Sequence, residues 1–302
     1  MLRLRREVPI AALLNRGTFD AFMGERAQKA GAKYLLGAEA ASLEFTPSKV
    51  AVQFYQAGKE TILDARTVVV AGGAAFSLLK KQPQYLASDL VIGAQAVVEA
   101  PGVEEIEIYC GKKVAPGFFA WLVPTGDGRA LAGLLARQKT VTYCKKFLAK
   151  LKDEGKIVTD AVDINYRVIA LQPPPKTSGD RLIIVGGAAG QVKPTTGGGI
   201  YFGLLSADVA AEVLDEALRC EDLSAVCLAA YEEGWRSKLM PEIESGQRAR
   251  IFYEHLSDTE MNALFTLGKT MNIEKFLYTM DGLSFDWHAG LISKLAKKYY
   301  NI

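Results

Sequence analysis

Apolar side chains recur at helical spacing between Thr18 and Ala30, where Phe19, Phe22, Met23, Ala27 and Ala30 form a stripe that Gly31 ends. The pattern predicts an amphipathic helix. Beyond it the period shortens. Val50 to Tyr55, a turn at Gly58, Thr61 to Leu63, and the apolar run Val68 to Ala71 before Gly72-Gly73 predict short strands, the last one buried. Between Val91 and Val141, β-branched and aromatic segments alternate with turn signals at Pro101-Gly102, Pro116-Gly117 and Gly126-Asp127-Gly128, which predicts an antiparallel sheet. A helix around Lys145 to Lys152 and further strand lead to Pro173-Pro174-Pro175, a stiff linker that continues neither element.

After the linker, Leu182 to Val185 is a continuous apolar strand and Gly186 to Gly190 a turn of small residues. Gln191 to Gly199 is a loop with Pro194, Thr195, Thr196 and three consecutive glycines. Helical spacing starts at Ile200, with Leu204, Leu205, Val209, Val213 and Leu214 on or near one face up to Leu218. From Leu223 the chain reads as helix, over Leu223 to Leu239, Glu242 to Leu256, Asp258 to Leu267 and Leu291 to Tyr300.

Composition narrows the class. With 302 residues, 49% of them hydrophobic and 23% charged, the chain has material for one large domain or two interleaved ones. Basic and acidic side chains number 36 and 34, and no Lys/Arg block is interleaved with aromatics, so nucleic acid is not an expected partner. Cys110, Cys144, Cys220 and Cys227 form no CxxC pair, and His255 and His288 read as surface or packing groups, so no metal site is expected. Sparse thiols suit a reducing, cytoplasmic compartment. Arg3, Arg5 and Arg6 before Val8 to Leu14 imitate a secretory signal, but the apolar stretch is short and Asn15-Arg16 follow at once. No run approaches the roughly 18 apolar residues of a membrane span. Lys294, Lys297 and Lys298, with Leu291, Ile292, Leu295 and Tyr299, form a basic amphipathic end suited either to peripheral contact with anionic lipid or to packing on the protein itself.

A buried strand that delivers the chain to a glycine-rich loop at a helix start builds a place for an anion or an electron-rich heteroatom. Free N–H groups and the positive end of the helix dipole point there, and missing side chains let a ligand touch backbone. The loop is not a dinucleotide fingerprint, since Gly197-x-Gly199 is followed by Phe202 where a third glycine belongs, and it is not a P-loop. On spacing alone, glycines that serve only tight turns and close packing explain it equally well. Thr195 and Thr196 read equally as helix-capping hydroxyls.

The stretch from Asp180-Arg181 through Gly186-Gly-Ala-Ala-Gly-Gln-Val-Lys-Pro-Thr-Thr-Gly-Gly-Gly-Ile200 resembles the second FAD-binding motif of the geranylgeranyl reductase family, which shares the fold of p-hydroxybenzoate hydroxylase. Arg16 to Asp20 resembles that family's Arg-x-x-Phe-Asp helix start, and Val68 to Ser77 its strand before an Ala-x-Gly-x-x-Ser turn, with one extra residue before Ser77. Pro116-Gly-Phe-Phe-Ala-Trp-Leu-Val-Pro124 is similar to its Pro-x-x-Tyr-x-Trp-x-Phe-Pro signature, Phe119 and Val123 replacing Tyr and Phe. Tyr231 and Trp235 also fall where the family places them.

The resemblance implies an α/β fold: an incomplete Rossmann-like FAD-binding domain from residues 1–80 and 173–222, a substrate domain with an antiparallel sheet at 81–172, and a helical C-terminal region at 223–302. It implies FAD, held by Arg16, Gly186, Gly187, Ala188, Gly190, Pro194, Thr195, Gly197, Gly198, Gly199 and Ile200, with the loop against the pyrimidine edge of the flavin. It further implies a prenyl chain lying against Phe118, Phe119 and Trp121, and reduction of prenyl carbon–carbon double bonds in isoprenoid or lipid precursors. No catalytic side chain is assigned. The sequence departs from the family pattern twice. It contains no GxGxxG turn for the FAD pyrophosphate, and the family's Gly-Asp, whose Asp binds the ribityl chain, is Gly186-Gly187. A flavin monooxygenase or halogenase on the same scaffold, or a non-catalytic fragment that keeps its core, are the alternatives.

Overall fold

The computed structural model describes residues 2–3, 11–73, 76–159, 163–279, 284, 286, 287, 289 and 290. The arginine-led stretch over residues 4–10, His288 and the basic end at 291–300 lie outside the described residues. The first elements are α1 (Arg16–Lys29), β1 (Ala38–Phe45), β2 (Val50–Gln56), β3 (Lys59–Ala65), β4 (Val68–Val70) and α2 (Phe76–Leu79). Then come β5 (Ser88–Glu99), β6 (Glu107–Cys110), β7 (Phe119–Gly126), β8 (Arg129–Ala136), α3 (Thr140–Asp153) and β9 (Asn165–Gln172). Last are β10 (Ser178–Gly179), β11 (Leu182–Ile184), α4 (Ile200–Arg219), α5 (Ala225–His255), α6 (Asp258–Thr270) and α7 (Ile273–Thr279).

The Asn15 side chain accepts the Thr18 N–H at 3.1 Å and so starts α1. None of that helix is buried: along the predicted apolar stripe Phe19, Met23 and Ala27 are half-buried, while Phe22 and Ala30 are exposed. β1, β2 and β3 form an antiparallel meander. Between β2 and β3, Ala57 and Gly58 both have positive φ (49° and 76°), as a two-residue hairpin turn requires.

β4 runs parallel to β11, with Val68 opposite Leu182 and Val70 opposite Ile184, and β10 returns antiparallel on the far side of β11. A parallel pair needs a long crossover. Here that crossover contains a whole second sheet, five antiparallel strands in the order β6-β7-β8-β5-β9, together with α3. One face of this sheet is paved with small residues, Ala94, Ala96, Ala120 and Ala132, which let Phe147 and Leu151 of α3 press down on it. The opposite face carries Trp121, Leu135 and Ile169.

On that second face the Trp121 indole lies directly over Gly133. A Cβ there would stand 2.6 Å from the indole Cζ2 and 2.6 Å from the Ala94 carbonyl oxygen. Gly133→Ala is therefore expected to cost about 1–3 kcal/mol by overpacking. The result would be a lower urea midpoint at an unchanged slope, and an unaltered midpoint would show that both Trp121 and the Ala94 backbone give way freely.

α4 and α5 pack on each other and on β11 around Phe202, Tyr231, Trp235, Leu239 and Ile243, all fully buried. α5 corrects the sequence expectation of two helices parted at Pro241, because one 31-residue helix runs through that proline. An interior proline costs a helix about 3 kcal/mol. Leu239 and Ile243, at 0% exposure on either side of it, bury enough apolar surface to hold the axis continuous. Among the described residues, no helix is long and apolar enough to cross a membrane.

Candidate functional site at the glycine loop

The loop between β11 and α4 is braced from below. Gln191, fully buried, accepts the Gly186 N–H at 2.6 Å and donates to the Tyr231 hydroxyl at 2.9 Å, which donates to the Ile184 carbonyl at 2.7 Å. One glutamine side chain thereby ties the strand, the turn after it and α5 into one unit, and burial pushes the Tyr231 phenol up. Trp235 adds a second tie from α5, donating through Nε1 to the Thr177 hydroxyl at 2.8 Å. Gly190 has room for nothing larger, since a Cβ would meet the Gln172 carbonyl oxygen at 2.7 Å.

The glycine run then folds back on Lys193. The Lys193 N–H donates to the Gly198 carbonyl at 2.9 Å, and the Lys193 carbonyl accepts from Thr196 and Gly197. Gly197 takes φ +70°, a left-handed conformation that a side chain would strain. Gly199 stands at the start of α4 and offers no capping side chain. The amides of Ile200, Tyr201 and Phe202 therefore donate to no acceptor among the described residues. Among the described residues, they leave the positive end of a 20-residue helix uncapped beside bare backbone. Thr195 and Thr196 do not cap α4. Thr196 accepts the Gly198 N–H at 3.3 Å, and Thr195 and Pro194 pack on Gly246 of α5.

Other segments reach this place without side chains. A Cβ on Gly187 would come 3.5 Å from Gly73 Cα, just beyond β4, and one on Gly186 would come 3.9 Å from Gly203 Cα in α4. Ala188 is buried in the core cluster beneath. Arg16 behaves differently from the rest of the expected cofactor set: its guanidinium pairs with Asp20 on its own helix at 3.0 Å, and its side chain is 61% exposed.

The aromatic segment lies next to the loop. A Cβ on Gly197 would meet Ile169 Cδ1 at 3.2 Å and Leu135 Cδ1 at 3.4 Å, so the loop touches the apolar face of the five-stranded sheet. Phe119 and Trp121 are half-buried on that face, their rings edge to face with centroids 6.1 Å apart. The Trp121 Nε1 donates to Gln95 at 3.1 Å, which satisfies its polar atom and leaves the ring apolar. Phe118 is instead a core residue, 2% exposed, with Arg137 and Arg250 each 5.9 Å from its ring centre.

Those two arginines belong to a cluster that sequence reasoning missed. Asp89 and Glu254 each accept from both Arg137 and Arg250, all four contacts at 2.6 Å. This closed ring of two cations and two carboxylates fastens α5 to the end of the sheet nearest the loop. The Arg137 guanidinium holds the Glu254 carboxyl below the ordinary carboxylate range. No short motif announces such a ring, because its members come from β5, α5 and the residue just after β8. Among the described residues, no group of three or more His, Cys, Asp and Glu side chains is arranged to hold a metal ion.

No protein-family model matches the chain. It is 33% identical to a digeranylgeranylglycerophospholipid reductase of Methanocaldococcus jannaschii over 291 positions, covering 88% of this chain and 71% of that protein. A second such reductase, from Methanothermobacter thermautotrophicus, is 30% identical, with 83% and 67% covered. In fold, the chain is similar to a geranylgeranyl bacteriochlorophyll reductase-like protein of Thermoplasma acidophilum, with a TM-score of 0.79 at 22% identity over 95% of this chain and 72% of that one. A flavin-dependent halogenase lies further off, with a TM-score of 0.61 at 15% identity over 95% and 59%.

Proposed function

Because the chain belongs to the geranylgeranyl reductase family, we propose that it is an FAD-dependent reductase of prenyl carbon–carbon double bonds in isoprenoid or lipid precursors. The observation that carries this reading is the seam at Gly197, where a glycine loop with open helix amides abuts an apolar face bearing Trp121, Leu135 and Ile169. A reductase of isolated double bonds needs its electron carrier and its apolar substrate side by side.

Bound FAD, once reduced by two electrons from an external donor such as dithionite, would supply the hydride that the double bond accepts together with a proton. The residues present fit the flavin end of that cofactor. The uncapped amides of Ile200 and Tyr201 offer positive partial charge to an electron-rich ring edge, and Gly186, Gly187 and Gly73 offer backbone that a planar ring can approach. No GxGxxG turn for the pyrophosphate occurs in the 302 residues. On the substrate side, Phe119 and Trp121 present apolar surface to a chain that has no polar atom to recognise, so burial and shape do the binding. Leu135 and Ile169 exclude water from the seam. The reaction is cytoplasmic in this reading, with peripheral contact to the membrane when the prenyl chain belongs to a lipid.

The test is incubation of the whole chain with FAD, dithionite and geranylgeranyl diphosphate, followed by mass spectrometry of the product. A gain of two hydrogens per reduced bond is expected. Trp121→Ala is expected to raise KM about ten- to a hundredfold, the worth of one large apolar contact, while FAD affinity holds. Bound FAD with no change of product mass would overturn the substrate class, and no FAD binding would overturn the reading altogether.

A further inference from the structure

Lys193 is a cation in an unusual place. It is 4% exposed, and its stem runs beneath the glycine run: a Cβ on Gly198 would lie 3.1 Å from Lys193 Cε and 3.6 Å from Nζ. The same residue holds the turn through its own N–H and carbonyl. The ammonium is thus built into the loop that opens α4, where the helix amides already leave positive partial charge. Burying an ammonium is costly, and a methionine would fill a similar volume without that desolvation.

A distant segment of the chain meets this ammonium. Asp286, 34% exposed, accepts from Lys193 Nζ at 2.6 Å. Beside it the Trp287 ring packs on Tyr201 and Phe202 of the first turn of α4, with centroids 6.0 and 5.9 Å away. The Ala289 N–H donates to both carboxylate oxygens of the buried Glu242, at 2.8 and 3.0 Å. The carboxylate of Asp286 is therefore held next to the loop cation by contacts of two residues that follow it, Trp287 and Ala289.

We propose that Lys193 is an electrostatic tuning residue for the flavin: its ammonium favours the reduced, negatively charged form, and Asp286 sets how much of that charge the flavin feels. The inference rests on the proposed function. Uptake of two electrons and one proton leaves a flavin with one net negative charge, and a fixed cation beneath the loop lowers the free energy of that form relative to the neutral oxidised one. Asp286, with the opposite sign, works against it.

The experiment is an anaerobic reductive titration of the FAD-loaded whole chain against a reference dye, for the wild type, Lys193→Met, Lys193→Arg and Asp286→Asn. Lys193→Met is expected to weaken affinity for reduced relative to oxidised FAD about tenfold, a fall of about 30 mV for a two-electron couple. Lys193→Arg keeps the charge and restores the wild-type potential. Asp286→Asn moves the potential upward. An unchanged potential in Lys193→Met overturns the inference, as does a fall in Asp286→Asn, which would mark a packing role alone. Should Lys193→Met fail to fold, an Asp286→Asn potential equal to that of the wild type overturns it by itself. A wild type that binds no FAD overturns the proposed function and this inference with it. FAD binding with no response to either substitution overturns this inference only.

Discussion

Gly187→Asp is expected to tighten FAD binding about ten- to a hundredfold, the worth of one hydrogen bond to a charged group at roughly 1.5–3 kcal/mol. In the family pattern this position carries the aspartate that meets the ribityl chain, and here it carries a hydrogen. The backbone can accept the change. Gly186 has φ +68° and would resist a side chain, but Gly187 is not among the positive-φ residues. A Cβ on Gly187 meets nothing closer than Gly73 Cα at 3.5 Å, which is ordinary contact. Titration of FAD into the wild type, Gly187→Asp and a Gly187→Ala control separates charge from bulk. Equal dissociation constants for the Asp and Ala forms would show that the ribityl chain does not pass this turn.

Arg250→Met is expected to destabilise the protein by about 3–5 kcal/mol, because removing one member of a buried ionic group strands the others. Arg250 is 6% exposed and reaches both carboxylates, so its loss leaves Asp89 and Glu254 with Arg137 alone. Met retains much of the packing over Phe118, so the loss reports on charge. For a chain of 302 residues the melting temperature should fall by roughly 5–8 °C. Glu254→Gln gives a signed companion result. A carboxyl held below its ordinary range stabilises the fold above the unfolded pKa and ceases to do so as pH falls through the folded one. The wild-type advantage over Glu254→Gln should therefore shrink on acidification below about pH 5. An advantage that is constant between pH 7 and pH 3 would mean that the ring does not depend on ionised Glu254.

Much of the fold was legible because local rules and tertiary structure agree. The Val68–Val70 and Leu182–Ile184 strands are short, wholly apolar runs ending in glycine, and the parallel pair they form buries Leu182, Ile183 and Ile184 almost completely. β1 was not legible. Ala38–Phe45 contains two glutamates and three alanines, reads as neither period, and becomes a strand because β2 offers it an edge, with a register shift between Ala40 and Ser42. The site divides in the same way. The glycine loop stands out in sequence because small residues cluster between a strand and a helix, and the structure sets it at Gly197 against Leu135 and Ile169, on the sheet face that also carries Trp121. Lys193 and the arginine ring were invisible for a shared reason. A lysine in a loop and an arginine on a charged helix read as solvated groups, and only partners 93 and 161 positions away make them buried ones.

The ring that joins Asp89 to Arg250 also fixes an order of events during synthesis. Both carboxylates and the arginine of α5 must have left the ribosome before it can close, so a nascent chain ending anywhere short of residue 254 holds Asp89 and Arg137 without their full set of counter-ions. Contacts between residues so distant along the chain form late and slowly. Until then, the apolar sheet face beside the loop lacks the helix that fastens its end, and transiently exposed apolar surface of this kind favours aggregation of a nascent chain.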